Sequence, residues 1–436
     1  MAATMTPAQG SSAARPFKVP GRIFVYVLLF LMTAINYVDR VNLSIGASSI
    51  AKELSLSPIQ LGWLFSAFLW SYIIFLIPSG TLADKFGFRF LLPLAVGFWS
   101  LATAGTAVAV GLTGLLIARV CLGAGEAGAW PMGTRTVRAW APRSEYGVAI
   151  SAISLGQSFG VGFGALFVGW LVRDFGWRAS FIITGIVGLI WAAVWLLFVR
   201  DPKDTKWLED DERSLILSTR DESKVTDPGS GGYLVLLKSL PMWGITLGQG
   251  CLVYAYYFLL TWLPNYLQTQ RGIAIFGSGM YTAIIYGTAV VGSIALARVT
   301  DLVFTPESLR AGGRRIAVVL SFIPALLIVT TPWLTSTWAV VLALTICVTF
   351  MANAISLNAV LCNDLVVRPG DAGRAIALFT SGANVIAVTA PIVTGYLVSW
   401  WGFTGAFVLA GIMLVLGACI LLGLTRGGIG SAAPQH

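Results

Sequence analysis

Four ionisable residues stand in otherwise apolar surroundings. Asp39 and Arg40 lie in Asn36-Tyr37-Val38-Asp39-Arg40-Val41-Asn42-Leu43-Ser44, and Arg119 and Glu126 in Ala118-Arg119-Val120-Cys121-Leu122-Gly123-Ala124-Gly125-Glu126-Ala127-Gly128-Ala129-Trp130-Pro131. A guanidinium away from water can hold a carboxylate through two parallel hydrogen bonds. A carboxylate in the same surroundings can take up and release a proton. Together they point to anion recognition linked to proton transfer. Asp39 and Arg40 are adjacent, so on a helix they project ~100° apart and do not form a simple pair. Asn36, Arg40 and Ser44 share one face, with Tyr37 beside Arg40. Arg119 and Glu126, seven residues apart, share a face at a separation of ~10 Å along the axis. A group from another helix could bridge them, and Asp39 is the candidate. The alternative is an ion network that only ties helices together.

The elements that must position these groups are membrane spans. The chain has 436 residues, 57% hydrophobic and only 11% charged, with a mean hydropathy of +0.82. A soluble domain carries about 25% charged residues, so this chain has too little polar surface to cover itself in water. Uncharged runs of the ~20 residues needed to cross a bilayer recur along it. They include Ile23–Val38 (extended through Asp39 and Arg40 to Ala51), Leu54–Ala83, Phe90–Ala118, Tyr146–Val172, Ala179–Val199, Ser239–Gln270 and Gly272–Ala297. Ile117–Thr134 completes another helix that begins near Gly114. Ile316–Asn363 and Ala375–Thr425 are double length, split near Thr331–Thr335 and Trp401–Gly405. None alternates as a barrel strand would. The reading is an all-α membrane protein of twelve transmembrane helices. A membrane charge costs ~3 kcal/mol at a helix centre, so the four ionisable groups are functional candidates by default.

With both termini placed in the cytoplasm, 22 of the 28 Lys and Arg residues fall on that side. Lys52, Arg173, Arg178 and Arg271 fall outside, and Arg40 and Arg119 lie within spans. This is the positive-inside pattern. The net charge of +9 is therefore a topology signal, and no basic patch points to nucleic acid. The five cysteines lie in apolar runs without paired spacing, and the one histidine is His436. Histidine catalysis, a metal site and a disulfide framework are not expected, and neither is a cofactor.

The chain divides into a disordered tail (1–21), a first helical bundle (22–199), a cytoplasmic linker (200–238), a second bundle (239–425) and a C-terminal tail (426–436). The linker carries a short amphipathic helix around Trp207–Leu217, and its acidic run Glu209–Glu212 reads as a solvated face. The bundles repeat. At an offset of 226 residues Gly156 meets Gly382, Gly169 meets Gly395, Gly176 meets Gly402 and Phe181 meets Phe407. Glu145-Tyr146-Gly147 meets Asp371-Ala372-Gly373 at the same offset. Duplicated transporters place their site between the halves. Gly156, Gly160 and Gly164 read as helix packing.

Gly80-Thr81-Leu82-Ala83-Asp84-Lys85-Phe86-Gly87-Phe88-Arg89 resembles the G-x-L-x-D-R-x-G-R/K-K loop of the major facilitator superfamily. In that family the loop latches the cytoplasmic gate, which would give Gly80, Asp84, Gly87 and Arg89 a gating role. The bland reading is an ordinary turn. The counterpart in the second half is degraded to Ala297-Arg298-Val299-Thr300-Asp301. The N-Y-x-D-R-x-N-L-S and G-x-x-E-A-x-x-W/F-P elements, with Tyr254–Pro264 and Arg200-Asp201-Pro202, resemble the anion:cation symporter branch, over roughly residues 22–425. That branch includes permeases for sugar acids. The resemblance implies two pseudo-symmetric six-helix bundles of the major facilitator fold. It assigns Arg40 to the substrate carboxylate and Asp39, Arg119 and Glu126 to proton coupling. Tyr37, Tyr72, Gln157 and Asn384 match positions that line the sugar-acid site. Tyr254, Tyr256, Tyr257 and Trp262 could stack on a ligand, with Tyr257 the site candidate; Asn358 is a further polar candidate.

Spans 7–12 carry no deeply placed charge, so the second half should offer neutral hydrogen bonds. The expectation is a proton-coupled importer of an organic carboxylate, working by alternating access as a monomer in a bacterial inner membrane. It is not expected to be an enzyme, which would need a nucleophile–base pair or metal cluster. An organophosphate antiporter of the same superfamily would be expected to carry a second basic residue in span 7, and Tyr254–Pro264 has none. A nutrient sensor would need a larger soluble surface than the linker gives.

Overall fold

A computed structural model describes residues 20–219, 232–303 and 313–430. The first bundle holds span 1 (Arg22–Leu54), span 2 (Pro58–Phe86) and span 3 (Phe88–Thr106). Span 4 comprises Gly111–Glu126 and Ala129–Trp140, with Ala127 and Gly128 still right-handed helical between them. Spans 5 and 6 are 146–175 and 177–198, joined through Gly176. After the linker come span 7 (Leu240–Thr269), span 8 (Ile275–Val303), and span 9, formed by Arg314–Ala325 and the tighter turns of Leu326–Trp333. Span 10 is Thr337–Leu365. Span 11 runs from Ala372–Ala387 into 389–401, and span 12 is 403–424. Among the described residues nine helical stretches are long and apolar enough to cross a membrane. Two of these each contain two passes, divided at Gly176 and Gly402. Span 7 is the remaining pass; its Gln249, Tyr254, Tyr256, Tyr257 and Asn265 make it less apolar, and much of its surface is buried. Large apolar side chains such as Leu94, Leu101, Ile117, Ile294 and Leu342 are exposed on the outside, where lipid tails would cover them.

Local chemistry sets the element ends. Ser57 and Gln60 cap each other reciprocally, Ser57 Oγ accepting from the Gln60 amide at 3.3 Å and Gln60 Oε1 from the Ser57 amide at 2.8 Å, with Pro58 at the first helical position. This closes the turn between spans 1 and 2. Gly176 (φ 81°) and Gly402 (φ 67°) take left-handed conformations at the matching turns of the two halves, where a side chain would be strained. Their neighbours match as well: Phe181 and Phe407 are both fully buried.

Small residues set the packing. A Cβ on Gly160 would lie 2.5 Å from the Ala34 carbonyl oxygen, and one on Gly164 2.9 Å from Val38 Cγ2. Span 5 thus sits against span 1, and Thr33 Oγ1 donates to the Ile153 carbonyl at 2.8 Å. Gly382 repeats the arrangement against Thr246 of span 7, as Gly156 does against Thr33.

Span 4 continues through Glu126 as expected; its hydrogen-bond ladder only loosens at Ala127 and Gly128, whose backbones stay right-handed helical. Glycines at 123, 125 and 128 with Pro131 weaken the helix at this point. One expectation needs correction: the acidic run of the linker is not only a solvated face. Glu212 accepts from the Gly21 and Arg22 amides at 2.9 Å each, and from the Arg22 guanidinium at 2.9 Å. Arg22 also grips Glu145 through two hydrogen bonds at 2.8 and 2.7 Å. The linker helix Asp210–Thr219 is thereby tied to the start of span 1, and Trp207 stacks on Trp140 with 5.6 Å between ring centroids.

The two halves meet at the end of the molecule remote from the described chain ends. Ser44 Oγ donates to the Leu260 carbonyl at 3.1 Å, and Ser48 bonds Gln268. Ser66 Oγ donates to the Val388 carbonyl at 2.7 Å. Spans 2 and 11 cross at Gly62 and Gly395, where a Cβ on either would lie 2.6 Å from a carbonyl oxygen of the other helix. Spans 5 and 8 cross at Gly169 and Gly279.

Candidate functional site

The helices bring the predicted residues to the middle of this interface. Arg40 Nε donates to Glu126 Oε2 at 3.0 Å. The Arg40 guanidinium is also boxed by aromatic faces, 4.6 Å from the Tyr37 ring centroid, 4.7 Å from Phe68 and 5.2 Å from Tyr72. Such faces favour a cation electrostatically and hold the fork in one plane. Arg119 lies on Phe68, 5.8 Å from its ring centroid.

The remaining charges are unevenly satisfied. Glu126 and Asp39 are fully buried and Arg119 is 3% exposed. Among the described residues neither Asp39 oxygen has a hydrogen-bond partner, nor do Glu126 Oε1, Arg119 Nε and Nη1, or Asn36 Nδ2. Buried polar atoms are nearly always paired, so this unmet set stands apart from the rest of the core. The expected bridge of Asp39 between Arg119 and Glu126 does not form here; Arg40 takes Glu126 instead. Glu126 reaches span 1 from a helix that glycine lets pack closely on span 3: a Cβ on Gly125 would be 2.9 Å from Trp99 Cβ.

Two adjoining cavities open from this cluster. The smaller, about 160 Å³, is lined by Tyr37, Arg40, Tyr72, Tyr257 and Asn384. The larger, about 350 Å³, shares Tyr37, Tyr257 and Asn384 with it and continues past Gln157 into the second half. Arg40, Tyr37, Tyr72, Gln157, Asn384 and Tyr257 therefore share one space. Tyr254 is 4% exposed and Trp262 fully buried; Trp262 Nε1 donates to the Pro391 carbonyl at 3.3 Å, holding spans 7 and 11 together. Asn358 donates to Gln249 Oε1 at 2.9 Å inside the second half. These three candidates are in the packing and not among the cavity-lining residues. Gly80, Gly87 and Arg89 lie far along the chain ends' side of the bundle. A Cβ on Gly80 or Gly87 would meet nothing within 4 Å, and Arg89 rests on Phe90 at 4.7 Å. The Asp84 side chain lies outside the described residues.

Sequence reasoning missed Phe68, Tyr286 and Ser356. Phe68 is one turn before Tyr72, and that spacing was the available signal. Tyr286 and Ser356 line the larger cavity, but nothing in spans 8 and 10 distinguishes them before the helices are assembled.

Comparison with known proteins agrees with this architecture. A profile of the Major Facilitator Superfamily matches residues 29–368 and 308–435. The chain is 30% identical to the probable galactarate/D-glucarate transporter GudP of Bacillus subtilis, with 93% of each chain covered. It is also 30% identical to a hexuronate transporter of the same organism, covering 94% of this chain and 96% of that one. Among solved structures, a bacterial homologue of the human lysosomal transporter Spinster superposes with a TM-score of 0.77 at 18% identity, over 96% of this chain and all of the other. The xylose transporter XylE from E. coli gives 0.71 at 17% identity, covering 93% and 96%. This chain belongs to the major facilitator superfamily and is a membrane transporter, not an enzyme.

Proposed function

We propose that the protein carries an organic carboxylate of the sugar-acid type into the cell together with protons, by alternating access. The observation that carries this reading is the Arg40 guanidinium, boxed by three aromatic rings, paired with Glu126, and facing a cavity between the halves. The names of the relatives, transporters of galactarate or glucarate and of hexuronate, support the substrate class.

The charge count supplies the mechanism. The cluster holds two guanidinium groups and two carboxylates, neutral in total when all are ionised. An arriving carboxylate adds one negative charge to a low-dielectric interior, which is costly unless compensated. A proton on Glu126 restores the balance and frees Arg40 from its ion pair at the same time. Glu126 and the substrate carboxylate thus compete for one cation, and protonation decides the winner. Asp39 and Arg119 form the second half of the exchange: with Glu126 neutral or turned away, Asp39 is the remaining carboxylate for Arg119.

In the proposed orientation both chain ends are cytoplasmic, the membrane is the bacterial inner membrane, and the closed end faces outside. The functional unit is one chain, with 22–199 and 239–425 as the moving bundles and 200–238 as their linker. Proteoliposomes test the reading. Uptake of a sugar acid should follow an inwardly directed proton gradient and collapse when the gradient is dissipated. Uptake indifferent to the gradient would sink the symport reading.

A further inference from the structure

Each wall of the larger cavity has its own chemistry. The anion anchor, Arg40, lies in the adjoining smaller cavity at one end. The other end is built by spans 7, 8 and 10, through Val253, Tyr256, Tyr286, Ser293, Val348 and Ser356. None of the residues lining the larger cavity is Lys, Arg, His, Asp or Glu. Arg119 does not extend the positive surface into it, because it is buried beside Phe68 and shares with Arg40 only a recess of about 20 Å³.

The hydroxyls at this end are oriented by what they already bond. Ser293 Oγ donates to the Val290 carbonyl at 2.9 Å, and Ser356 Oγ to the Ala352 carbonyl at 3.1 Å. Bonded to their own helices, they leave acceptor lone pairs toward the cavity. A wall of neutral polar groups suits substrate hydroxyls and holds no cation to compensate a carboxylate. Tyr286 is different. It is 3% exposed, lines the cavity, and its phenol oxygen has no hydrogen-bond partner among the described residues. Tyr256 fixes the ring edge-on, 5.8 Å between centroids at 90°. A buried phenol without a partner can be satisfied by a polar group brought in by the ligand.

We infer that spans 7, 8 and 10 form a neutral subsite, centred on Tyr286, that receives the uncharged end of a monocarboxylate and rejects a second carboxylate. The inference rests on Arg40 as the anchor of the first carboxylate. It separates two kinds of substrate that the relatives' names leave side by side. A hexonate or hexuronate has one acid group and a neutral, hydroxyl-bearing remainder. A hexarate would place its second acid group against neutral hydroxyls and apolar carbon, with no cation to meet it, and lose binding accordingly.

The test uses the purified full chain and chemically matched pairs, gluconate with glucarate and galactonate with galactarate, at pH 7. Binding is followed by thermal shift and by displacement in counterflow. At least one hexonate should bind about tenfold or more tightly than its hexarate. Tyr286→Phe should weaken hexonate binding about tenfold. Ser356→Lys should raise the affinity for the hexarate to that of the hexonate or above. The wild-type comparison decides the matter even if Ser356→Lys fails to fold. A hexarate that binds wild type as tightly as its hexonate overturns the neutral subsite while leaving Arg40 as an organic-anion anchor. If no carboxylate of either kind binds, and Arg40→Lys behaves as wild type, the anion reading has failed and the subsite falls with it.

Discussion

Arg40 concentrates most of the site's chemistry in one side chain. Its fork already donates to Glu126 at 3.0 Å and lies against Tyr37, Phe68 and Tyr72. A lysine would keep the charge, but it is a point donor without a flat face for these rings. Arg40→Lys should therefore fold and reach the membrane, yet bind carboxylate about ten- to hundredfold more weakly, the value of one lost charge-assisted hydrogen bond. Wild-type affinity in a folded Arg40→Lys protein would remove Arg40 from the site. Glu126 gives a second prediction, with a sign in pH. If the proton on Glu126 is what releases Arg40, substrate binding by the wild type should strengthen as pH falls. Glu126→Gln cannot form the ion pair, so its binding should be nearly independent of pH and it should still perform counterflow. Accumulation driven by a proton gradient should be lost. Retained accumulation on a pH gradient would show that Glu126 is not an essential coupling acid, and Asp39→Asn would then ask whether the other carboxylate does that job.

At the scale of the elements, glycine decides which helices pack closest together. Gly156 and Gly160 press span 5 onto the backbone of span 1, and Thr33 bonds across to Ile153. Gly97, in span 3, has nothing within 4 Å of its Cβ direction. Gly156→Val should overpack the contact and cost about 1–3 kcal/mol or more, seen as a fall in the melting temperature of the purified protein. Gly97→Val should leave it nearly unchanged. Equal effects of the two would mean that glycine acts here through chain flexibility and not through close approach. The clamp of Arg22 between Glu145 and Glu212 belongs to the same scale. It explains why part of a charged linker packs against the first bundle: the two carboxylates and the guanidinium satisfy one another, and Glu212 also meets two backbone amides.

For the whole molecule the question is which end is closed. Gly62 and Gly395 let spans 2 and 11 touch backbone to backbone at the end remote from the described chain ends. Gly395→Leu would put a side chain into the Pro58 carbonyl and oppose that closure. It should shift the population toward the state open at that end. Labelling of a cysteine introduced by Ser44→Cys, from the outer side, should rise several-fold, and net uptake should fall. Unchanged labelling would mean that this crossing does not control closure. The loop from Gly80 to Arg89 concerns the opposite end, where Gly80 and Gly87 meet nothing within 4 Å in the present state. Asp84→Asn should weaken closure there, raising labelling of Ser158→Cys from the cytoplasmic side. If labelling stays the same, the loop is an ordinary turn.

Much of this could be read along the chain. Helical spans are written in the length of apolar runs, because a bilayer demands the same ~20 residues each time. The duplication is written in Gly176 and Gly402, because only glycine takes the left-handed turn that both loops require. Arg40 and Glu126 stood out because charge is costly in lipid and is kept there for a reason. Their pairing with each other was not legible. Asp39 had equal claim on sequence, and the choice of Arg40 emerges only once spans 1 and 4 are set side by side. Tyr286, Ser356 and Phe68 were likewise invisible, and Trp262 and Asn358 misleading. An aromatic or amide residue in an apolar run carries no mark of the side it faces. Which face lines the cavity is fixed by how spans 7, 8, 10 and 11 cross, and those crossings depend on close fits of Gly250, Gly292 and Gly382 against side chains of other helices.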